Sequence, residues 1–151
     1  MSTSTNGILV YGYDLAGGDA EWKVREVGEY GELKLDWLDD ENDDFWTAAE
    51  KRLLAAAGFT ETDYTADGYF KREREAKGCT GVEIESYCSG DYPMYLLAAK
   101  GSVTTAYRGD CEQVDFTVNP EWDAKLRAAL EVLGMTPTQE RAQWLLCSCW
   151  G

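Results

Sequence analysis

Val82-Glu-Ile-Glu-Ser-Tyr-Cys88, followed after a short loop by Met94-Tyr-Leu-Leu-Ala-Ala99, decides the fold class. In the first stretch Val82, Ile84, Ser86 and Cys88 alternate with Glu83, Glu85 and Tyr87, the period of two that makes a half-buried strand. The second stretch is apolar on both faces, as a central strand is. Lys100-Gly101 can turn it into residues 102–108, so an antiparallel meander is expected. Residues 7–14, 21–27 and 32–38 read as three further strands, and residues 143–150 as a last one.

Helices are marked by their ends. Asn119-Pro120-Glu121 supplies a cap, a proline at the first helical position and an early acid for the positive dipole end. Trp122, Leu126, Leu130 and Leu133 then form one apolar stripe, Gly134 closes it, and Met135 is placed to fold back on Leu130. An earlier helix follows the same scheme. Asn42 or Asp43 caps it, Phe45, Ala49, Leu53 and Ala56 form its stripe, Gly58 ends it and Phe59 can fold back on Leu54. A third helix is expected around residues 66–77, with Lys71-Arg-Glu-Arg-Glu75 in solvent and Gly68 weakening its start.

These elements predict an α+β fold, a mostly antiparallel sheet with two or three helices, in a single domain over residues 1–151. The chain also carries the marks of an internal repeat at two places along its length. Gly7-Ile-Leu-Val-Tyr-Gly-Tyr13 and Gly81-Val-Glu-Ile-Glu-Ser-Tyr87 each start a half, and Trp46 and Trp122 each precede a glycine, Gly58 and Gly134, by twelve residues. A pseudo-twofold duplication of βββα halves, residues 7–78 and 81–151, is the resulting expectation, although capping chemistry alone can produce similar endings.

Charge narrows the function. The formal charge is −14 and −9 of it falls in residues 1–49. Such a chain repels phosphate backbones and anionic headgroups, so direct nucleic-acid and membrane binding are disfavoured and basic protein surfaces are attracted. With no basic leader and five cysteines, the chain reads as cytoplasmic with free thiols.

The acidity peaks at Asp36-Trp-Leu-Asp-Asp-Glu-Asn-Asp-Asp44. Asp36, Asp39, Asp40, Glu41, Asp43 and Asp44 can lure a basic partner surface. They can equally form a solvated loop whose last acids complement a helix dipole. A second candidate contact is Ser86-Tyr-Cys-Ser-Gly-Asp-Tyr-Pro-Met-Tyr95, where Tyr87, Tyr92 and Tyr95 could anchor a partner or sit in the core.

Catalysis finds little support. There is no histidine, no P-loop and no nucleophile elbow. Cys147 and Cys149 share a strand face, yet no C-x-x-C pair completes a zinc spacing, so no metal and no cofactor are expected. The glycine-bearing loop Asp14-Leu-Ala-Gly-Gly-Asp19 leaves room for an alternative, a small carboxylate-based enzyme or ligand-binding domain.

The stretches Gly7-Ile-Leu-Val-Tyr-Gly-Tyr-Asp-Leu-Ala-Gly-Gly18 and Tyr87-Cys-Ser-Gly-Asp-Tyr-Pro-Met-Tyr-Leu-Leu97 resemble those of a family of small acidic proteins of actinobacteria and their phages. The resemblance implies a phage or mobile-element accessory protein and carries no catalytic residues. Together the observations predict a non-enzymatic acidic binding protein that engages a basic surface of a host protein. Oligomeric state is left open.

Overall fold

The computed structural model describes residues 5–17, 21–39 and 43–150. Five strands and three helices follow in the order β1 (Thr5–Ala16), α1 (Phe45–Ala56), α2 (Tyr69–Thr80), β2 (Val82–Cys88), β3 (Pro93–Ala99), β4 (Thr104–Ala106), α3 (Trp122–Leu133) and β5 (Gln143–Trp150). The α+β class expected from the alternation is the one observed. Among the described residues no helix is long and apolar enough to cross a membrane.

The sheet is organised around β1. One edge of β1 pairs antiparallel with β5 from Thr5 to Gly12. Its other edge is shared, by β4 opposite Gly7, Ile8 and Leu9, and by β3 opposite Gly12 to Ala16. Strand β2 pairs with β3 along its whole length and touches β5 at Cys88 opposite Cys149, in a parallel contact. The pairings therefore run β3–β2–β5–β1 and return from β1 to β3, a ring closed at one corner.

The two faces of this curled sheet hold separate cores. Tyr11, Leu15, Val82, Ile84, Tyr95, Leu97 and Ala99 meet Phe45, Ala49 and Leu53 of α1 and Leu126, Ala129 and Leu133 of α3. Ile8, Val10, Leu96 and Ala98 turn the other way and form a cluster with no helix in it. Val10, Leu96 and Ala98 are nonetheless fully buried, because the sheet curls over its own inner face. A side-chain period of two delivers the residues of each strand alternately to the two cores.

The predicted meander is corrected. Lys100-Gly101 does not fold β4 back on β3, because both lie along the same β1 edge. The turn is an outward excursion within that edge. Residues 21–27 and 32–38 are also not strands. Isolated bridges, Val24 opposite Pro137 and Val27 opposite Leu33, hold them as a strap across the segment after α3. Their buried Val24 and Leu33 imitate a strand pattern, but they anchor a loop.

The ends of α1 and α3 at Gly58 and Gly134 follow the capping logic, but the start of α3 does not. Asn119 Oδ1 accepts the Glu121 N–H at 3.0 Å ahead of the helix, which begins at Trp122 rather than at Pro120. The cap of α1 is Asp44 rather than Asp43, accepting the Thr47 N–H at 3.2 Å, while Asn42 lies outside the described residues. At its other end the Phe59 N–H reaches the Leu54 carbonyl at 2.9 Å, with Gly58 at φ +92°, and the two side chains pack together. Ala56 is exposed rather than part of the stripe. Gly134 and Met135 repeat the arrangement after α3, where the Met135 N–H meets the Leu130 carbonyl at 3.1 Å. Helix α2 begins three residues later than expected, since Gly68 at φ +76° stands outside it.

The proposed halves do not share a βββα order. Among the described residues, those of 7–78 contribute one strand and two helices, whereas those of 81–151 contribute four strands and one helix. The matching helix–glycine endings arise from the same capping chemistry used twice.

Candidate functional site: an acidic segment and a seam in the sheet

The acidic segment is pinned through its apolar residues. Trp37 Nε1 donates to the Leu133 carbonyl at 2.8 Å, and Leu35, Trp37 and Leu38 pack against the helix-side core. The Arg52 guanidinium lies over the Trp37 ring at 5.4 Å while its Nε donates to the Val132 carbonyl at 2.7 Å. Between these anchors the side chains of Asp36 and Asp39 are exposed, as are those of Asp43 and Asp44 at the head of α1. Asp40 and Glu41 lie outside the described residues.

Two of these acids have structural work. Asp43 Oδ2 accepts the Asp39 N–H at 3.0 Å, and Asp44 Oδ2 accepts both the Thr47 N–H and its hydroxyl, the latter at 2.9 Å. A cavity of about 570 Å³ adjoins them, and Lys51 and Arg52 line it beside Asp43 and Asp44. The described acids of the segment thus form an exposed edge with a mixed-charge hollow next to it.

The tyrosine loop divides in three. Tyr92 is 57% exposed and available to a partner. Tyr95 is not: it is buried, stacked on Trp22 at 6.0 Å and flanked by Phe45 and Trp46, so it belongs to the core. Tyr87 is half-buried, and its hydroxyl donates to Asp14 Oδ1 at 2.8 Å. Burial, with the Asp14 hydrogen bond, pushes the Tyr87 phenol well above its ordinary range.

The sequence marks the loop that begins at Asp14 as a candidate ligand contact, but not the partners that Asp14 meets across the fold. Asp14 stands at the bulge near the end of β1, where the register slips before Ala16, a residue at φ +49°. Its Oδ1 also accepts the Ala16 N–H at 3.0 Å, and its Oδ2 pairs with Lys23 Nζ at 2.8 Å. Gln139 extends the adjoining edge, accepting the Asp14 N–H and donating to the Gly12 carbonyl at 2.8 Å. The one available signal was phase: Asp14 follows Ile8, Val10 and Gly12 in the inward-facing register of β1.

Asp14 and Tyr87 line a cavity of about 460 Å³ together with Met94, Leu145, Leu146, Cys147 and Trp150. Burial, with Asp14 nearby, raises the Cys147 thiol to about 11, so it is held protonated and is a poor nucleophile at neutral pH. Among the described residues Asp14 is the one carboxylate in the lining, and its oxygens are engaged by Tyr87, Ala16 and Lys23. The described residues bring no second acid to this cavity to make the pair that a carboxylate enzyme requires, and Asp19 of the loop lies outside them.

Fold and site define an α+β domain with an acidic edge and an open seam in its sheet. No protein-family model, no curated protein and no solved structure matches this chain.

Proposed function

We propose that the chain is a non-enzymatic binding protein that engages a basic surface of another protein through the segment 36–44. One observation carries the reading. The segment's apolar residues are anchored, Trp37 by a hydrogen bond to Leu133, while the carboxylates of Asp36, Asp39, Asp43 and Asp44 face solvent. An anchored row of like charges presents a fixed potential and loses less entropy on docking than a floppy acidic tail. The chain's overall charge of −14 adds long-range attraction for the same class of partner. The role fits a cytoplasmic accessory factor of a phage or mobile element that redirects a host protein.

The test is capture of host protein on the immobilised chain at low and at high salt, repeated with an Asp36→Asn/Asp39→Asn/Asp40→Asn variant. Exposed charges are screened beyond about 8–10 Å at physiological ionic strength, so the captured protein should be released by salt and lost with the variant. Retention of the same partner by the neutralised variant would remove the proposal. Asp44 is left intact in this design because it caps α1.

A further inference from the structure

Strand β5 pairs with β1 along its whole length, from Gln143 opposite Gly12 to Trp150 opposite Thr5. Its second edge meets β2 at one place, Cys149 opposite Cys88. From Gln143 to Ser148 that edge forms no strand pairing among the described residues. The seam cavity has the same geometry, because the consecutive residues Leu145, Leu146, Cys147 and Ser148 all line it. Successive side chains of a strand point to opposite faces, so four in a row reach one cavity only where it opens onto the strand's edge.

An unpaired edge is a template for another strand, since its N–H and C=O groups are spaced to receive one. The chemistry on the two sides of this edge differs. On the inner side, Glu83 and Glu85 share the face of β2 with Tyr87, which lines the cavity. Glu85 is half-buried and takes part in none of the ion pairs formed among the described residues. On the outer side Leu146 is 79% exposed and Trp150 54% exposed.

We infer that the seam between β2 and β5 is a strand-addition site for an extended segment of another protein in which basic and apolar residues alternate. Added along β5, such a segment turns every second side chain inward toward Glu83 and Glu85. The others turn outward onto Leu146 and Trp150. A second copy of this chain suits the seam poorly, because it brings a charge of −14 against another −14. The site is separate from the acidic segment 36–44 and stands without it.

The test uses a fluorescein-labelled eight-residue peptide of alternating Lys and Val on the full chain, read by anisotropy and by amide hydrogen exchange. The Lys–Val peptide should bind and protect amides within Gln143–Ser148. The same peptide with every second amide N-methylated should bind at least about tenfold more weakly, since it cannot complete the backbone pairing. A Glu–Val peptide should not bind. A Glu83→Gln/Glu85→Gln variant should weaken the Lys–Val peptide about three- to tenfold, the range of one or two partly buried charge contacts. The Asp36→Asn/Asp39→Asn/Asp40→Asn variant should still protect the same amides, which separates this site from the acidic segment. Failure of the Lys–Val peptide to bind, equal binding of the N-methylated peptide, or protection elsewhere would overturn the assignment. Concentration-dependent protection of the β5 edge without peptide would overturn it in favour of a second copy.

Discussion

The Ser102 hydroxyl completes the hydrogen bonding of Tyr11. It accepts the Tyr11 backbone N–H at 3.1 Å and donates to the Ala99 carbonyl at 2.6 Å, at the point where the chain leaves the β1 edge between β3 and β4. Ser102 is buried, 4% exposed, so no solvent replaces it. Replacing Ser102 with Ala should leave the Tyr11 N–H unsatisfied and cost about 1–3 kcal/mol, the penalty for an orphaned buried donor. Urea unfolding should show a lower midpoint with an unchanged slope. A variant as stable as the parent would mean that water or a backbone shift fills the gap.

Gly12 sits where β1 is paired on both edges, with Ala98 on one side and Gln143 on the other. A Cβ at this position would overlap the Leu97 backbone carbonyl, and a carbonyl inside a pairing cannot swing away as a side chain can. Gly12→Ala should therefore cost about 3 kcal/mol or more, at the upper end of overpacking effects. Gly7→Ala is the control, because nothing lies within 4 Å of its Cβ position. Thermal unfolding of the two variants should differ by many degrees, with the Gly7 variant close to the parent.

How far the sequence carried the reading depends on the range of the signal. Helix ends were legible because Gly58 with Phe59 and Gly134 with Met135 are local devices, complete within a few residues. Strands β2 and β3 were legible from the alternation at Val82 and Ile84 and the apolar run before Lys100. Pairing was not legible. Nothing in Lys100-Gly101 says whether the next strand folds back on β3 or continues along β1, because the deciding partner lies about ninety positions away. A separation of 73 positions likewise hid the Tyr87–Asp14 contact, and Val24 with Leu33 read as strand because loop anchors and strand residues are buried alike. Tyr95 illustrates the limit at the site. Its loop position suggested an anchor for a partner, yet Trp22 and Phe45 had already claimed it.

The acids of the segment 36–44 should separate into structural and displayed groups. Asp44 caps α1 through the Thr47 N–H, so Asp44→Ala should cost about 1 kcal/mol, the usual loss of an N-cap. Asp36 is exposed, and Asp36→Asn should change stability by no more than about 0.5 kcal/mol. Chemical denaturation of both variants checks the division. Equal destabilisation by the two would make Asp36 part of the fold and weaken its use as a docking charge.

The fold should also lose stability at high pH as its raised phenols ionise, Tyr11 and Tyr87 foremost. Tyr11 is buried, and its hydroxyl donates to Asp123 Oδ1 at 2.7 Å. Burial first, then that carboxylate, raises it to about 12. Tyr87, bonded to Asp14, is raised as well, by burial and then by its carboxylate partner. A phenol held above its ordinary value of 10.0 keeps its proton in the folded chain after the unfolded chain has lost it. Its contribution is complete below pH 10 and declines as pH rises from there through the folded value, about 12 for Tyr11. Tyr11→Phe and Tyr87→Phe should each be less stable than the parent at neutral pH, because the carboxylate loses a hydrogen-bond donor. Each should also lose stability less steeply above pH 10. A tyrosinate absorbance titration supplies the independent reading: Tyr11 and Tyr87 belong, with Tyr69 and Tyr95, to the phenols that burial raises, and each variant should lack one late-ionising phenol of the parent. If Tyr11→Phe removes a phenol that titrates near 10 instead, the Tyr11–Asp123 bond does not persist in solution.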